Sequence, residues 1–282
     1  MQAKFLDRTT FDFENSAIIR PPFEEPTNKE VSHKYTRIII DSRDRDVSQY
    51  PTPTKYWIPL EQDIEDVKTG EIILMDIPMS GYIVNAYNNV ITTELGSVYI
   101  PVGNYDAPGL AVAIQEILRP WYPSNTCVYN PVIDKFTFNY NIQASFTLIF
   151  AAKDKIATAT ARLLGFNPGT SCTIPCTSPN RINLNVNNYI VMSIDMFSIN
   201  ASSNSVIDRT TALVHSKAML LNFWSVNNTI KKYFNPIIGR VDRLKVSFVD
   251  YYGNPYDFNN VDHRIEILLE SRKNLGRYSH FV

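Results

Sequence analysis

The sequence predicts a mainly β protein: an antiparallel β-sandwich with short helical insertions and an extended N-terminal arm. Three observations lead there. Short runs of β-branched and aromatic residues recur with strict alternation, the period of a strand that buries one face. The chain of 282 residues has 17 Pro, 16 Tyr and 15 Phe against only 10 Gly, a balance that suits short strands joined by rigid turns. Only two stretches switch to helical spacing, too few for the alternating strand–helix units of an α/β sheet.

Residues 1–32 read as the arm. The stretch Arg20-Pro21-Pro22-Phe23-Glu24-Glu25-Pro26 cannot pair inside a sheet, because proline offers no backbone donor. The arm nevertheless carries Phe5, Phe11, Phe13, Ile18, Ile19 and Phe23. Burying one such side chain is worth about 1.5–3 kcal/mol, so Phe5, Phe11, Phe13 and Phe23 are expected to anchor the arm on neighbouring chains. Residues 33–282 are expected to form the body.

Within the body, Arg37 to Asp41 is a β-branched run followed by a polar loop, Asp41-Ser42-Arg43-Asp44-Arg45-Asp46, and a turn at Tyr50-Pro51-Thr52-Pro53. Lys55 to Leu60 reads as one extended segment and Glu71 to Met75 as another strand, with Val98-Tyr99-Ile100 following a loop that holds Asn88 and Asn89. Alternation is strictest in Phe136 to Tyr140, Leu244 to Phe248, Ile265 to Leu269, and Ile182 to Asn187. The last predicts a strand with Ile182, Leu184 and Val186 in the core and Asn183, Asn185 and Asn187 outside. Apolar spacing predicts a helix over 107–118, with Pro108 at its start. A second is predicted over 154–164, with Asp154 as cap, Ala157, Ala159 and Ala161 inside, and Gly165 as stop.

Charge narrows the function. Lys and Arg number 27 against 28 Asp and Glu, a net charge of -1. Proteins that package nucleic acid draw affinity from a basic excess, so no nucleic-acid partner is expected. No apolar run reaches the length of a membrane span, and membrane contact is not expected. The first residues lack a secretory pattern. The three cysteines, Cys127, Cys172 and Cys176, are an odd set, read as reduced thiols in a protein made in the cytosol.

The search for chemistry nominates no catalytic, metal or cofactor site and no small-molecule substrate. Glycines are scattered, so no phosphate-binding loop forms. Cys172 and Cys176 lie four apart without a nearby histidine, and two packed thiols fit better than zinc. Asp41, Asp44 and Asp46 are interleaved with Arg43 and Arg45 and lack the glycine and glutamate of a calcium loop; pairing within the loop or with another subunit fits better. Asp262-His263 resembles an acid–base pair on paper, but reads more simply as a polar start to a strand. No G-x-S-x-G elbow is present.

Several phrases, in this order, resemble the minor capsid and penton proteins of nucleocytoplasmic large DNA viruses. They begin with Ile39-Ile40-Asp41-Ser42-Arg43-Asp44-Arg45-Asp46, Tyr50-Pro51 and Tyr56-Trp57-Ile58-Pro59-Leu60. Next come Ile77-Pro78-Met79-Ser80-Gly81-Tyr82-Ile83-Val84, Asn88-Asn89, and Val98-Tyr99-Ile100-Pro101-Val102-Gly103-Asn104-Tyr105 leading into the first helix. Leu163-Leu164-Gly165-Phe166, Asn183-Leu184, Tyr189-Ile190, Arg243 to Phe248, Gly253, Asp257-Phe258 and Asp262-His263 complete the series. The resemblance covers residues 37–270. It implies a jelly-roll core, no enzymatic activity, and a place in an icosahedral virion. The penton, a homopentamer at each fivefold vertex contacting the major capsid protein and other minor capsid proteins, fits a single jelly roll. On that reading Arg43, Asp44, Arg45 and Asp46 are expected at the subunit boundary. Residues 1–32 have no counterpart in the family, which leaves an internal minor capsid protein as the alternative. A host-attachment sandwich is a second alternative; it would need an exposed aromatic and carboxylate cluster in a loop pocket, and no segment of the sequence marks one.

Overall fold

The computed structural model describes residues 33–140, 145–185, 189–215 and 230–272. In chain order the elements are β1 (His33–Asp41), a 3-10 turn (Ser42–Asp44) and β2 (Lys55–Asp76). An inserted region follows, with β3 (Val90–Thr93), β4 (Gly96–Tyr99), α1 (Ala107–Leu118), β5 (Asn125–Asn130) and β6 (Lys135–Tyr140). It continues through β7 (Thr147–Ile149), α2 (Lys155–Leu163), β8 (Ser171–Thr173) and β9 (Cys176–Thr177). The chain then returns through β10 (Tyr189–Ile194), β11 (Ala212–His215), β12 (Ile230–Val249) and β13 (Arg264–Arg272).

The architecture follows from one long ribbon. β2 and β12 pair antiparallel from Ile72 opposite Ile230 to Lys55 opposite Ser247. Two irregularities break the register. Residues 234–237 stand opposite Lys68 alone, and residues 60–63 stand opposite Asp242 alone. Extra residues on one strand bend a ribbon and increase its twist, and Pro236, which has no N–H to donate, falls inside one of these bulges. The bend carries both strands from one sheet into another. The first sheet has the order β1, β13, the 64–76 half of β2, and the 230–241 half of β12; the second has the 55–59 half of β2, the 243–249 half of β12, β10 and β11. An antiparallel ribbon folded over in this order is a jelly roll, two face-to-face sheets of four segments each.

A single hydrophobic cluster fills the space between the sheets. It takes Ile38 and Ile40 from β1 and Ile265, Ile267 and Leu269 from β13, and meets them with Leu244, Val246 and Phe248 of β12 and Ile190, Met192 and Ile194 of β10. Phe197 spans the layers. It packs on Phe234 at 6.1 Å between ring centroids, and a Cβ on Gly70 would fall 2.7 Å from its ring, so only glycine fits there.

The insertion between β2 and β10 has its own core. Two small sheets, β4-β3-β7-β8 and β5-β6-β9, pack with both helices around Leu110, Ile114, Phe136, Phe138, Phe150 and Phe166. Both helices begin where their caps predict. Asp106 accepts from the Gly109 N–H at 2.8 Å, and Asp154 from the Ile156 N–H at 2.8 Å. Gly165, at φ +80, ends α2; a side chain there would collide with the Asn180 carbonyl at 2.4 Å.

Three expectations need correction. Lys55–Leu60 and Glu71–Met75 are ends of one strand, because the ribbon resumes its pairing with β12 at Ile64 after the 60–63 bulge. Ile182 to Asn185 is not a strand: the chain bends at Leu184 and joins no sheet. Its alternation is real, with Ile182 and Leu184 packed on the insertion core and Asn183 and Asn185 exposed, while Val186 and Asn187 lie outside the described residues. Cys172 and Cys176 form a disulfide and are not reduced thiols. The short turn between β8 and β9 sets their Cα atoms 6.4 Å apart, a span that a disulfide bridges. Cys127 is the remaining free thiol, buried and pushed up to about 12 by desolvation. The arm with Phe5, Phe11, Phe13 and Phe23 lies outside the described residues.

Candidate functional site

The loop after β1 is built as a bracket. Asp41 caps the 3-10 turn, accepting from the Arg43 N–H at 3.0 Å and from the Arg43 guanidinium at 2.8 Å. These bonds hold the Asp41 carboxyl down at about 2. Asp46 accepts from the Ser48 hydroxyl and N–H at 2.6 and 2.9 Å; the hydroxyl is the main reason that its carboxyl sits below the usual range. Asp44 is exposed.

Arg43 and Arg45 differ in setting. The Arg43 side chain is 72% exposed beside Asp41. The Arg45 side chain is 9% exposed. It donates to the carbonyls of Ser42 at 2.6 Å and Tyr50 at 3.0 Å and to Asp262 at 3.3 Å. Arg45 therefore ties the loop to the turn before β13, and Ser42 repeats the tie through Asp262 at 2.7 Å. Arg43, Asp44 and Asp46 form the loop's outer surface.

Behind the bracket sits His263. Its Nε2 lies 2.7 Å from the Tyr56 hydroxyl, and its ring is enclosed by Phe248 and Phe258 at 4.5 and 4.9 Å. Burial depresses its pKa to about 4 and raises that of Tyr56. Asp262 points to Ser42 and Arg45 instead of to the imidazole, so the adjacent acid and base make no dyad. This group is a core lock between the two sheets.

The outer face of the first sheet holds a feature that the sequence did not mark. Glu266, 1% exposed, is bound by Arg37 and Arg264 from either side. Burial works to raise its pKa, and the hydrogen bonds from Arg37 and Arg264 outweigh it, leaving the carboxyl below its usual range. Glu270 is held by His33 at 2.8 Å and the Thr69 hydroxyl at 2.9 Å. Exposed Tyr35 and Ile39 border this ladder on β1.

A second unmarked feature is a cleft of about 370 Å³ where the loops 81–87 and 250–257 meet, lined by Tyr82, Tyr87, Tyr256, Asn85 and Asp257 among others. Its residues run from Thr52 to Asp257, so only the fold brings them together. Among the described residues no group of three or more His, Cys, Asp or Glu could hold a metal ion, and no helix is long and apolar enough to cross a membrane.

The structure is similar to the crystal structure of the selenomethionine-labelled mavirus penton protein, at 12% identity and a TM-score of 0.35, over 86% of this chain and 100% of that one. No curated protein matches the chain. The sequence profile of one family matches residues 27–218, from the approach to β1 through β11. The chain belongs to that family, a family of unknown function (DUF5901).

Proposed function

We propose that this chain is a non-enzymatic structural capsid protein of a large icosahedral DNA virus, and within the shell the penton of the fivefold vertices. The observation that carries the reading is the single jelly roll made by folding the β2–β12 ribbon over itself. Jelly rolls serve viral shells but also lectins and cupins, and fold alone does not fix function. The ordered phrases supply the discrimination: those that resemble the capsid family run from the corner loop after β1 through the insertion and β10 to β12 and the turn that feeds β13.

On this reading five copies meet head to tail, so two different flanks of each subunit are complementary. Arg43, Asp44 and Asp46 contact the next copy, while Arg45 sets the loop's shape from within. The arm, residues 1–32, lies on neighbouring chains through Phe5, Phe11, Phe13 and Phe23. The partners are the chain itself, the major capsid protein and other minor capsid proteins, in a virion made in the host cytoplasm. Electron microscopy of purified particles tests the reading directly: density for this chain at the fivefold vertices is expected, and its occurrence elsewhere in the shell rejects the penton while keeping the capsid role. Arg43→Glu is expected to lower pentamer yield with the monomer's melting unchanged. Deleting 1–32 is expected to leave the sandwich folded and to impair incorporation.

A further inference from the structure

We infer that the cleft between the jelly roll and its insertion is a binding site for an uncharged saccharide. The inference goes beyond the capsid reading and does not depend on it. The cleft's volume of about 370 Å³ falls in the lower part of the range for small-molecule sites, roughly 300–1,000 Å³. One wall comes from the turn between β12 and β13, the other from the chain leaving β2.

The lining is aromatic and polar without a cation: no lysine, arginine or histidine contributes to it. Tyr82 and Tyr87, 39% and 37% exposed, offer ring faces and hydroxyls that bond no described residue. Tyr256 closes the floor, its hydroxyl accepting from the Gly81 N–H at 2.9 Å. Asp257 uses one oxygen on the Asn259 N–H at 2.8 Å, which leaves the other to accept from a ligand. Asp250, by contrast, is largely engaged by its own turn: it accepts from the Tyr252 and Asn254 N–H groups and from the Asn254 amide. Rings that can stack on the C–H face of a sugar, beside hydroxyls and a carboxylate oxygen that can meet its OH groups, suit a polyol. Sialylated or sulphated sugars would enter with nothing to neutralise them.

The walls are held before any ligand arrives. Asn85 and Asn88 brace the 83–88 turn: the Asn85 N–H donates to Asn88 at 2.7 Å, and the Tyr87 N–H to Asn85 at 2.9 Å. Ser80 donates to the Phe258 carbonyl at 2.6 Å, and the Asn259 amide donates to the Ser80 carbonyl. Loops stitched together in this way lose little freedom on binding.

The test is a titration of the full chain with neutral oligosaccharides of glucose, galactose, mannose and N-acetylglucosamine, read by saturation-transfer NMR and calorimetry. Sialylated and sulphated glycans and tetramethylammonium run in parallel. At least one neutral saccharide is expected to bind, weakened about tenfold or more by Tyr82→Ala or Tyr87→Ala and also by Asp257→Asn, which preserves shape. Thermal melting of each variant controls for folding. No binding by any neutral saccharide, preference for the anionic glycans, displacement of a bound saccharide by tetramethylammonium, or binding that ignores all three substitutions would each overturn the assignment.

Discussion

The two hydrophobic cores of this chain are assembled in opposite ways. In the insertion, partners are close in sequence: β5 and β6 form a hairpin across residues 125–140, β3 and β4 another across 90–99, and both helices cap themselves. In the jelly roll the partners are remote. β1 pairs with β13, His33 opposite Arg272, and β2 with β12, Lys55 opposite Ser247. Local contacts form quickly and can open alone, whereas remote pairing must be completed before it is rewarded. The insertion should therefore behave as a separable unit, and the jelly roll as an all-or-none one.

Truncation of one buried ring in each core tests this most forcefully. Phe248 and Phe138 are both essentially inaccessible, and either change to alanine should cost about 3–5 kcal/mol. Phe248→Ala is expected to lower a single cooperative transition for the whole molecule. Phe138→Ala is expected to split off an early transition, with hydrogen exchange accelerated in 84–182 and unchanged in β13. Equal loss of protection in both regions would mean one cooperative unit.

Acid separates the cores next. His263 lies in the jelly roll, with a folded pKa of about 4 against an ordinary 6.5. Between those values the unfolded chain takes up a proton that the folded chain refuses. Stability is thus intact above pH 6.5 and declines as pH falls toward 4, by up to about 3 kcal/mol. Asp41 and Glu266, held low by arginines, add losses only below their ordinary 3.8 and 4.5. The Tyr56→Phe/His263→Phe double variant removes both ends of the buried hydrogen bond and should flatten the slope between pH 6.5 and 4.5. A slope that survives in it places the titration elsewhere.

Reduction acts on the other core. The loop closed by Cys172 and Cys176 is short, so opening it should cost about 2 kcal/mol or less, with faster exchange in β7 and β8 and none in the jelly roll. The two loop arginines should give signals confined to the jelly roll, the smaller of them at Arg43. Arg45→Ala removes the guanidinium bonds to the Ser42 and Tyr50 carbonyls and is expected to lower stability by about 1–3 kcal/mol. Arg43→Ala, at an exposed pair, should cost less than Arg45→Ala. A larger loss at Arg43 than at Arg45 would reverse their assigned roles.

What could be read from the chain follows the same division. Helix limits came from Pro108, Asp154 and Gly165, because starts, caps and stops are local chemistry; the Asp106 cap was found only in the structure. The alternation in β6, β12 and β13 marked the right strands, and that in Ile182 to Asn185 marked the right faces without a sheet. The continuity of β2 was hidden, since Glu61, Gln62 and Asp63 look like a loop unless they are seen to form a bulge opposite Asp242 of β12. Arg43 and Arg45 look equivalent in Asp41 to Asp46; only the docking of Asp262 turns one inward. Glu266 alternates outward as its strand requires, yet Arg37 and Arg264 cover it. The cleft was unreadable for the plainest reason: Tyr82 and Asp257 meet across 175 positions between Gly81 and Tyr256, and no spacing rule spans that distance.

The pairing of His33 with Arg272 makes the described body a nearly closed circuit, its first and last strands side by side at one edge of a sheet. Connectivity can then be re-cut without redrawing the architecture. A short linker from 272 to 33, with new ends opened at Val132, a turn residue 89% exposed, would give a circular permutant of the same jelly roll. The permutant would carry its free ends on the insertion, far along the chain from the arm's point of attachment.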